Sequence, residues 1–359
     1  MIILLLLFVI SACQSPMIEE PEEQYTMRNI PSSILVQEMT IGWNLGNTFD
    51  ATAETLYGNP VTTKEFLAFV KSSGFNTIRI PITWESHFEE APEYLIEEAW
   101  ISRIQIVVDD AIDLGFFVII NMHHERWNNA TYENLDNTKT ILRALWTQIG
   151  TRFEDYSEFL LFESMNEVRI YGDISQWRDG TEESRDVINQ INQEFVDVIR
   201  GLGGNNPIRH LVIPTHAAKF TETIMRDFIV PDDNKIIVSI HAYVPVPFAH
   251  DKNDITTWNE WKLTDTKDIE PMFSALSNQF VTKGIPVIMG EFGARDKNNE
   301  SYRAAWAKYY VEQANYYQIK CLWWDTGISS TGHNFALFDR RNLTVLYPDI
   351  IQALMDGIS

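Results

Sequence analysis

The chain of 359 residues contains only two cysteines, Cys13 and Cys321. Two thiols cannot furnish a structural zinc site, and a single thiol outside the N-terminal run cannot form an internal disulfide. Cations are also scarce. The 28 Lys and Arg residues face 50 Asp and Glu, a formal charge of −22. Such a surface repels nucleic acid and anionic lipid, and no basic run offsets it, whereas an uncharged polymer would tolerate it. No Gly-rich dinucleotide loop follows a predicted strand; Gly201-Leu202-Gly203-Gly204 follows a helical segment instead. No repeat, low-complexity stretch or linker occurs after residue 30, so residues 31–359 are expected to form one domain.

Long hydrophobic runs are missing as well. The N-terminal run at residues 2–10 is too short to span a bilayer as a permanent helix. It has the form of a signal-peptide core, although no Lys or Arg precedes it. Ile10-Ser11-Ala12-Cys13 resembles a bacterial lipobox. Residues 1–12 are therefore expected to be a lipoprotein signal peptide, with Cys13 the lipidated first mature residue. The alternative is an ordinary signal peptide with a chance cysteine. Residues 13–30, with a Pro- and Glu-rich stretch, are expected to form a solvated tether. The protein is then secreted, on a bacterial outer membrane or cell surface, monomeric, and in contact with membrane only through its anchor. Cys321, inside the apolar run Ile319-Lys320-Cys321-Leu322-Trp323-Trp324, is expected to be a buried small hydrophobe.

Apolar and aromatic residues, at 45% and 12%, are plentiful enough for a large core. Short β-branched or aromatic runs lie at 41–44, 77–81, 116–122, 160–165, 210–214, 236–240, 287–290 and 321–324. They lack polar alternation, as parallel strands covered on both faces should. Helices are predicted over 64–73, 101–113, 138–153, 183–202, 270–283, 301–317 and 346–356, with a short turn near 221–228. The segment 183–202 shows the clearest stripe, through Val187, Ile188, Ile191, Phe195, Val198 and Leu202. Eight such alternations predict an α/β fold, a single-domain (β/α)8 TIM barrel.

In that fold the chemistry sits where strands end, and polar residues collect there. Glu167 closes the run Phe159-Leu160-Leu161-Phe162-Glu163-Ser164-Met165-Asn166-Glu167, and Glu291 closes Ile285-Pro286-Val287-Ile288-Met289-Gly290-Glu291. A carboxylate at the mouth of an apolar strand loses solvation, and two on different strands suggest a shared cleft for glycoside hydrolysis. The other strand ends carry Gly42-Trp43-Asn44-Leu45-Gly46-Asn47-Thr48-Phe49-Asp50, Arg79, Met122-His123-His124-Glu125, His241-Ala242-Tyr243 and Trp323-Trp324-Asp325.

This ordered set, spanning nearly all the mature chain, resembles glycoside hydrolase family 5, and most closely its subfamily four of endo-β-1,4-glucanases and xyloglucanases. The resemblance implies a retaining mechanism with Glu167 as acid/base and Glu291 as nucleophile. It also implies that Asn166 bonds the sugar 2-hydroxyl, that His123 and His241 line the same subsite, and that Trp324 is the platform beneath the sugar. Arg79 and Tyr243 are expected to hold Glu291 ionised, and an apolar setting to keep Glu167 protonated. His124, Asn44, Asn47, Trp84 and Trp127 are weaker candidates for neighbouring subsites. No metal or cofactor is expected, and a β-glucan is the expected partner.

More ordinary roles compete for several of these residues. Arg79 could be a structural ion pair, His124 a core histidine, Trp323 core, and Glu163 and Glu125 buried hydrogen-bonding partners. A metal-dependent hydrolase using His123, His124, His241 and Asp325 is a second hypothesis, although strand one lacks a His-x-His pair. A non-catalytic glycan-binding lipoprotein is a third. A β-mannanase or xylanase would share fold and catalytic pair. Metabolic labelling with a fatty acid should mark Cys13; an unlabelled, freely secreted product would defeat the lipoprotein assignment.

Overall fold

The strand-forming runs are buried at every position except Lys320 and Trp324, as strands sandwiched between a core and a helical shell require. They are β1 (Ile41–Leu45), β2 (Thr77–Ile80), β3 (Phe117–Asn121), β4 (Leu160–Glu163), β5 (Leu211–Pro214), β6 (Ile236–His241), β7 (Val287–Phe292) and β8 (Lys320–Asp325). Each pairs in parallel with the next, and β8 returns to β1, so the barrel is closed. The structure, a computed structural model, describes residues 27–251, 260–262, 265–328 and 334–359. Cys13, the signal peptide and most of the expected tether lie outside the described residues.

The helices are α1 (Ser32–Glu38), α2 (Lys64–Ser72), α3 (Glu98–Asp113), α4 (Tyr132–Arg152), α5 (Glu182–Arg200), α6 (Glu222–Asp227), α7 (Val246–Ala249), α8 (Glu270–Gln279), α9 (Glu300–Tyr316) and α10 (Pro348–Gly357). Threonines set four of their starts: Thr63, Thr131, Thr181 and Thr221 each accept a hydrogen bond from the backbone N–H three residues on. The cap at Thr131 explains why α4 begins six residues before the expected 138: a polar first turn rides on the cap, ahead of the apolar stripe.

The sequence reading missed α1, which is only two turns long. It closes the barrel floor, where Leu35, Val36 and Met39 form one cluster with the inward-facing Phe117, Ile119, Leu161, Val212, Ile237, Ile288 and Leu322. The expected boundary at residue 30 also moves. Met27 is buried, and Arg28 pairs with Glu158 and Glu38, so residues 27–30 belong to the barrel rather than to the tether. After β8 a small hairpin of β9 (Phe338–Asp339) and β10 (Thr344–Val345) precedes α10, which packs on α9.

Inside the barrel, side chains alternate along each strand with a period of two. The lower inward positions are apolar apart from Thr77 and the side-chain-free Gly42. One step higher on the same faces stand Asn44, Arg79, Asn121, Glu163, Ser239 and Trp324. At the floor Gly42 opposes Leu322 across the β1–β8 register, and a Cβ there would collide with the Leu322 side chain, so glycine is what lets these strands close. The outward Trp323 packs between Trp306 and Phe292 and donates to the Phe335 carbonyl at 2.8 Å, which makes it core as expected. Cys321 is buried as well.

Candidate active site

Arg79, with no exposed surface, is the centre of the polar layer. Its Nε donates to Glu163 Oε2 at 2.6 Å and its Nη1 to Glu291 Oε1 at 2.9 Å and Asn44 Oδ1 at 3.0 Å. Nη2 donates to Asn166 Oδ1 at 2.8 Å. A guanidinium has donors only, so the oxygen end of Asn166 must face it, which turns the Asn166 amide nitrogen toward the cleft that this residue lines. Burial alone would lower the arginine pKa, but the charges of Glu163 and Glu291 prevail and raise it. Arg79 is therefore a structural ion pair and a site residue at once.

Glu291, at the end of β7, also accepts from the Tyr243 hydroxyl at 3.1 Å. Burial and the Glu291 charge push the Tyr243 phenol well above its usual range, so it remains a donor. Glu167 faces Glu291 across the barrel mouth. His241 Nδ1 lies 2.9 Å from Glu167 Oε1 and 3.6 Å from Glu291 Oε2. One oxygen of Glu167, one of Glu291 and a His241 nitrogen lie within 4.8 Å of one another. Retaining glycosidases hold their carboxyl groups about 5–5.5 Å apart and inverting ones about 6.5–9.5 Å apart, so this approach belongs to the first class.

The expectation that Glu167 stays protonated is corrected. Burial does push its carboxyl up, but the hydrogen bond from His241, the His241 charge, and the charges of Lys219 and Arg169 pull harder and lower it to about 2. The apolar strand is less influential than the donors at its end. His123 is buried in the cleft wall, and its imidazole is driven well below its usual range by burial and by the neighbouring His124, Arg79 and His241. It is thus a neutral ring, with Nδ1 3.3 Å from Asn121 Nδ2, and it lies parallel to half-buried Trp324 with centroids 5.8 Å apart. His124 is exposed and lines the cleft, so it is no core histidine.

Other expectations need correction. Asn44 is fully buried and its amide donates to the carbonyls of Gly290, Leu322 and Trp323, so it braces Arg79 and the rim rather than touching substrate. Asn47 is a turn residue at φ 52°, its carbonyl taken by Asn59, and it lies outside the cleft lining. Trp84 is buried with its indole on the Asn121 carbonyl at 2.9 Å, and the Trp127 indole bonds Glu125 at 2.7 Å. Asp325 is tied to Arg340 and to the amides of Gly327 and Leu337. Glu125 is a buried partner, as expected: burial raises its carboxyl to about 7 against the donors Trp84 N–H and Trp127.

Two trios among the described residues have metal-ligand spacing, Glu167–His241–Glu291 and Asp50–His123–His124. The first spends its carboxylates on Arg79, Tyr243 and each other's histidine. In the second, Asp50 takes the Thr48 amide at 2.6 Å. Sequence reasoning missed Trp177, Lys219, Tyr57 and Asp50 as cleft residues. Only the loop lengths signalled them, since a lone side chain in a loop has no period to betray its direction.

The model of the cellulase family (glycosyl hydrolase family 5) matches residues 38–330. The chain belongs to glycosyl hydrolase family 5. Among solved structures, this family 5 barrel is similar to a GH5-4 broad specificity endoglucanase from Ruminococcus champanellensis with bound cellotriose, at 43% identity and a TM-score of 0.89, covering 92% of this chain and 99% of that one. It is 42% identical over 347 residues to endoglucanase B of Neocallimastix patriciarum, covering 92% of this chain and 73% of the relative. It is 45% identical over 335 residues to cellulase/esterase CelE of Acetivibrio thermocellus, of whose length it spans 41%.

Arg79→Ala leaves Glu163 and Glu291 buried without their counter-charge, which should destabilise this family 5 barrel by about 3–5 kcal/mol at pH 7. Urea denaturation should show part of that loss recovered near pH 4, where the orphaned carboxyls can protonate; a loss independent of pH would show that the ion pairs are not its source. His241→Ala removes the largest of the groups that lower Glu167 and leaves burial opposed only by the charges of Lys219 and Arg169, so the carboxyl should titrate well above about 2. In the unaltered protein a depressed carboxyl contributes stability above its unfolded pKa that disappears as pH falls toward the folded value. Side-chain carboxyl NMR through an acid titration checks both, and an unmoved Glu167 resonance in the variant would exclude His241 as the cause.

Proposed function

We propose that this protein is a retaining endo-β-1,4-glucanase in which Glu291 is the nucleophile and Glu167 the acid/base. The supporting observation is the carboxylate pair within 4.8 Å at the junction of two open lobes, about 530 and 490 Å³ in volume. Glu167 and Trp177 are the residues that line both lobes. A cleft that continues past the pair in both directions suits cleavage within a chain.

The roles follow from the partners. Glu291 is gripped by the Arg79 guanidinium and the Tyr243 hydroxyl, two donors that suit a carboxylate nucleophile. Its oxygen attacks the anomeric carbon as the bond to the leaving oxygen breaks, forming a glycosyl ester. The leaving oxygen takes its proton from Glu167. His241 Nδ1, 2.9 Å from Glu167 Oε1, is the neighbouring group through which Glu167 takes up that proton, and displacement of water by bound glucan favours the protonated carboxyl. Once the leaving chain departs, Glu167 takes a proton from water, the oxygen attacks the same carbon, and Glu291 is released with net retention. Asn166, fixed through its oxygen, presents its amide N–H to the sugar 2-hydroxyl. His123 and Trp324 form the walls around that ring.

A β-glucan is the proposed substrate, with mannan and xylan as the competitors that share this chemistry. Glu291→Ala should lower kcat on mixed-linkage glucan and carboxymethylcellulose by at least about 10⁴-fold, the scale of losing a nucleophile. Circular dichroism should show the variant folded, and proton NMR of the unaltered enzyme's first product should show the β-anomer. An α-anomer, or undiminished turnover by the variant, would refute the mechanism.

A further inference from the structure

The two lobes differ in charge. The one shared with His123 and Asn166 is lined by the carboxylates Asp50, Glu85 and Glu125 as well as by arginines. Among the described residues the other is lined by no carboxylate besides Glu167, yet it is lined by Lys219. This is unusual in a chain of net charge −22, where a free cation in a cleft would readily find an acid. Among the described residues the Lys219 ammonium has no ion pair within 4 Å and no side-chain hydrogen bond; it stands over the Trp177 ring, 5.9 Å from the centroid, and its charge acts on Glu167. Trp177 itself is half-exposed and held from behind by the Arg169 guanidinium, 3.8 Å from the ring centroid. Arg169 is in turn committed to the Glu167 carbonyl at 2.6 Å. An indole backed by a guanidinium and an ammonium 5.9 Å from the same ring, with no salt-bridge partner among the described residues, thus stand next to the proposed acid/base.

We propose that Trp177 and Lys219 form a leaving-group-side subsite that accepts a carboxylated sugar ring, the ring stacking on the indole and its carboxylate pairing with the ammonium. The side follows from the position of Glu167: the lobe touching Glu167 but not Asn166 or His123 lies beyond the bond being cut. This rests on the proposed function, in which Glu167 protonates that bond. The overall negative charge of the protein opposes an anionic polymer at long range, so the subsite governs where substituted rings are placed rather than how fast the polymer is found.

The test is digestion of lightly substituted carboxymethylcellulose, with hydroxyethylcellulose as the neutral control, followed by isotopic tagging of new reducing ends and mass spectrometry. Carboxymethyl groups should be enriched at new non-reducing ends, the rings that occupied the leaving-group side, by about fivefold over new reducing ends, the scale of a partly screened ion pair. The enrichment should shrink in high salt, fall to parity in Lys219→Met and return in Lys219→Arg. Parity in the unaltered enzyme, enrichment at the reducing ends, or enrichment unchanged by Lys219→Met would overturn the subsite assignment. Failure to cleave either polymer would instead overturn the glucanase reading. The unaltered enzyme with and without salt suffices should a variant fail to fold.

Discussion

A single buried guanidinium organises the top of this barrel. Arg79 has no contact with water, and four oxygens from three other strands and one strand-end loop converge on it. A charge in that position is tolerable only because two carboxylates and two amides surround it. The same contacts fix the Glu291 oxygen and the orientation of Asn166, so the interactions that stabilise the interior also aim the reactive groups. The apolar layers beneath, plugged by α1, keep water from competing for those donors. Lysine could not substitute, because a point charge lacks the planar fork that reaches Glu163, Glu291 and Asn166 together.

Much of this was legible in the sequence because it depends on period and order. All eight strands fall on the apolar runs that predicted them, and Glu167, Glu291, Arg79, Tyr243 and His241 meet at one mouth because parallel strands end at the same face. The failures have a common origin: they concern direction or environment, which spacing does not encode. Asn44 stands at a strand end level with Arg79, yet its side chain is taken up by that guanidinium and by three backbone carbonyls. Trp84 and Trp127 are aromatic, near the site and committed to backbone or Glu125. The α1 plug was too short to show a stripe. Trp177 and Lys219 lie in loops, where neighbours in space come from distant parts of the chain.

The ionisation of Glu167 is decided by groups brought in from other strands and loops. An apolar strand leading to a carboxyl argues for a raised pKa, and burial does act in that direction here. What the strand cannot show is that His241 arrives from β6 with its Nδ1 at 2.9 Å, and that Lys219 and Arg169 add their charges from flanking loops. Two glutamates at one barrel mouth are thereby distinguished by their neighbours: Glu291 by a guanidinium and a phenol that keeps its proton, Glu167 by an imidazole.

That difference has a consequence for how proton and substrate must be coupled. A guanidinium and a phenol that stays protonated both donate to Glu291, so in the proposed mechanism the nucleophile needs no priming. The acid does need it, and its proton neighbour is the His241 ring, which also approaches Glu291 at 3.6 Å. His241 therefore senses both carboxylates. When Glu291 becomes a neutral glycosyl ester in the proposed mechanism, His241 is left with Glu167 as the one charged carboxylate of the pair beside it. Glu167 must at that stage act as a base toward water, with its negative charge partly balanced by Lys219 and Arg169. The cations at the rim thus keep Glu167 ionised in the second step, when a neutral carboxyl would be useless, while desolvation by the bound chain favours its protonation in the first.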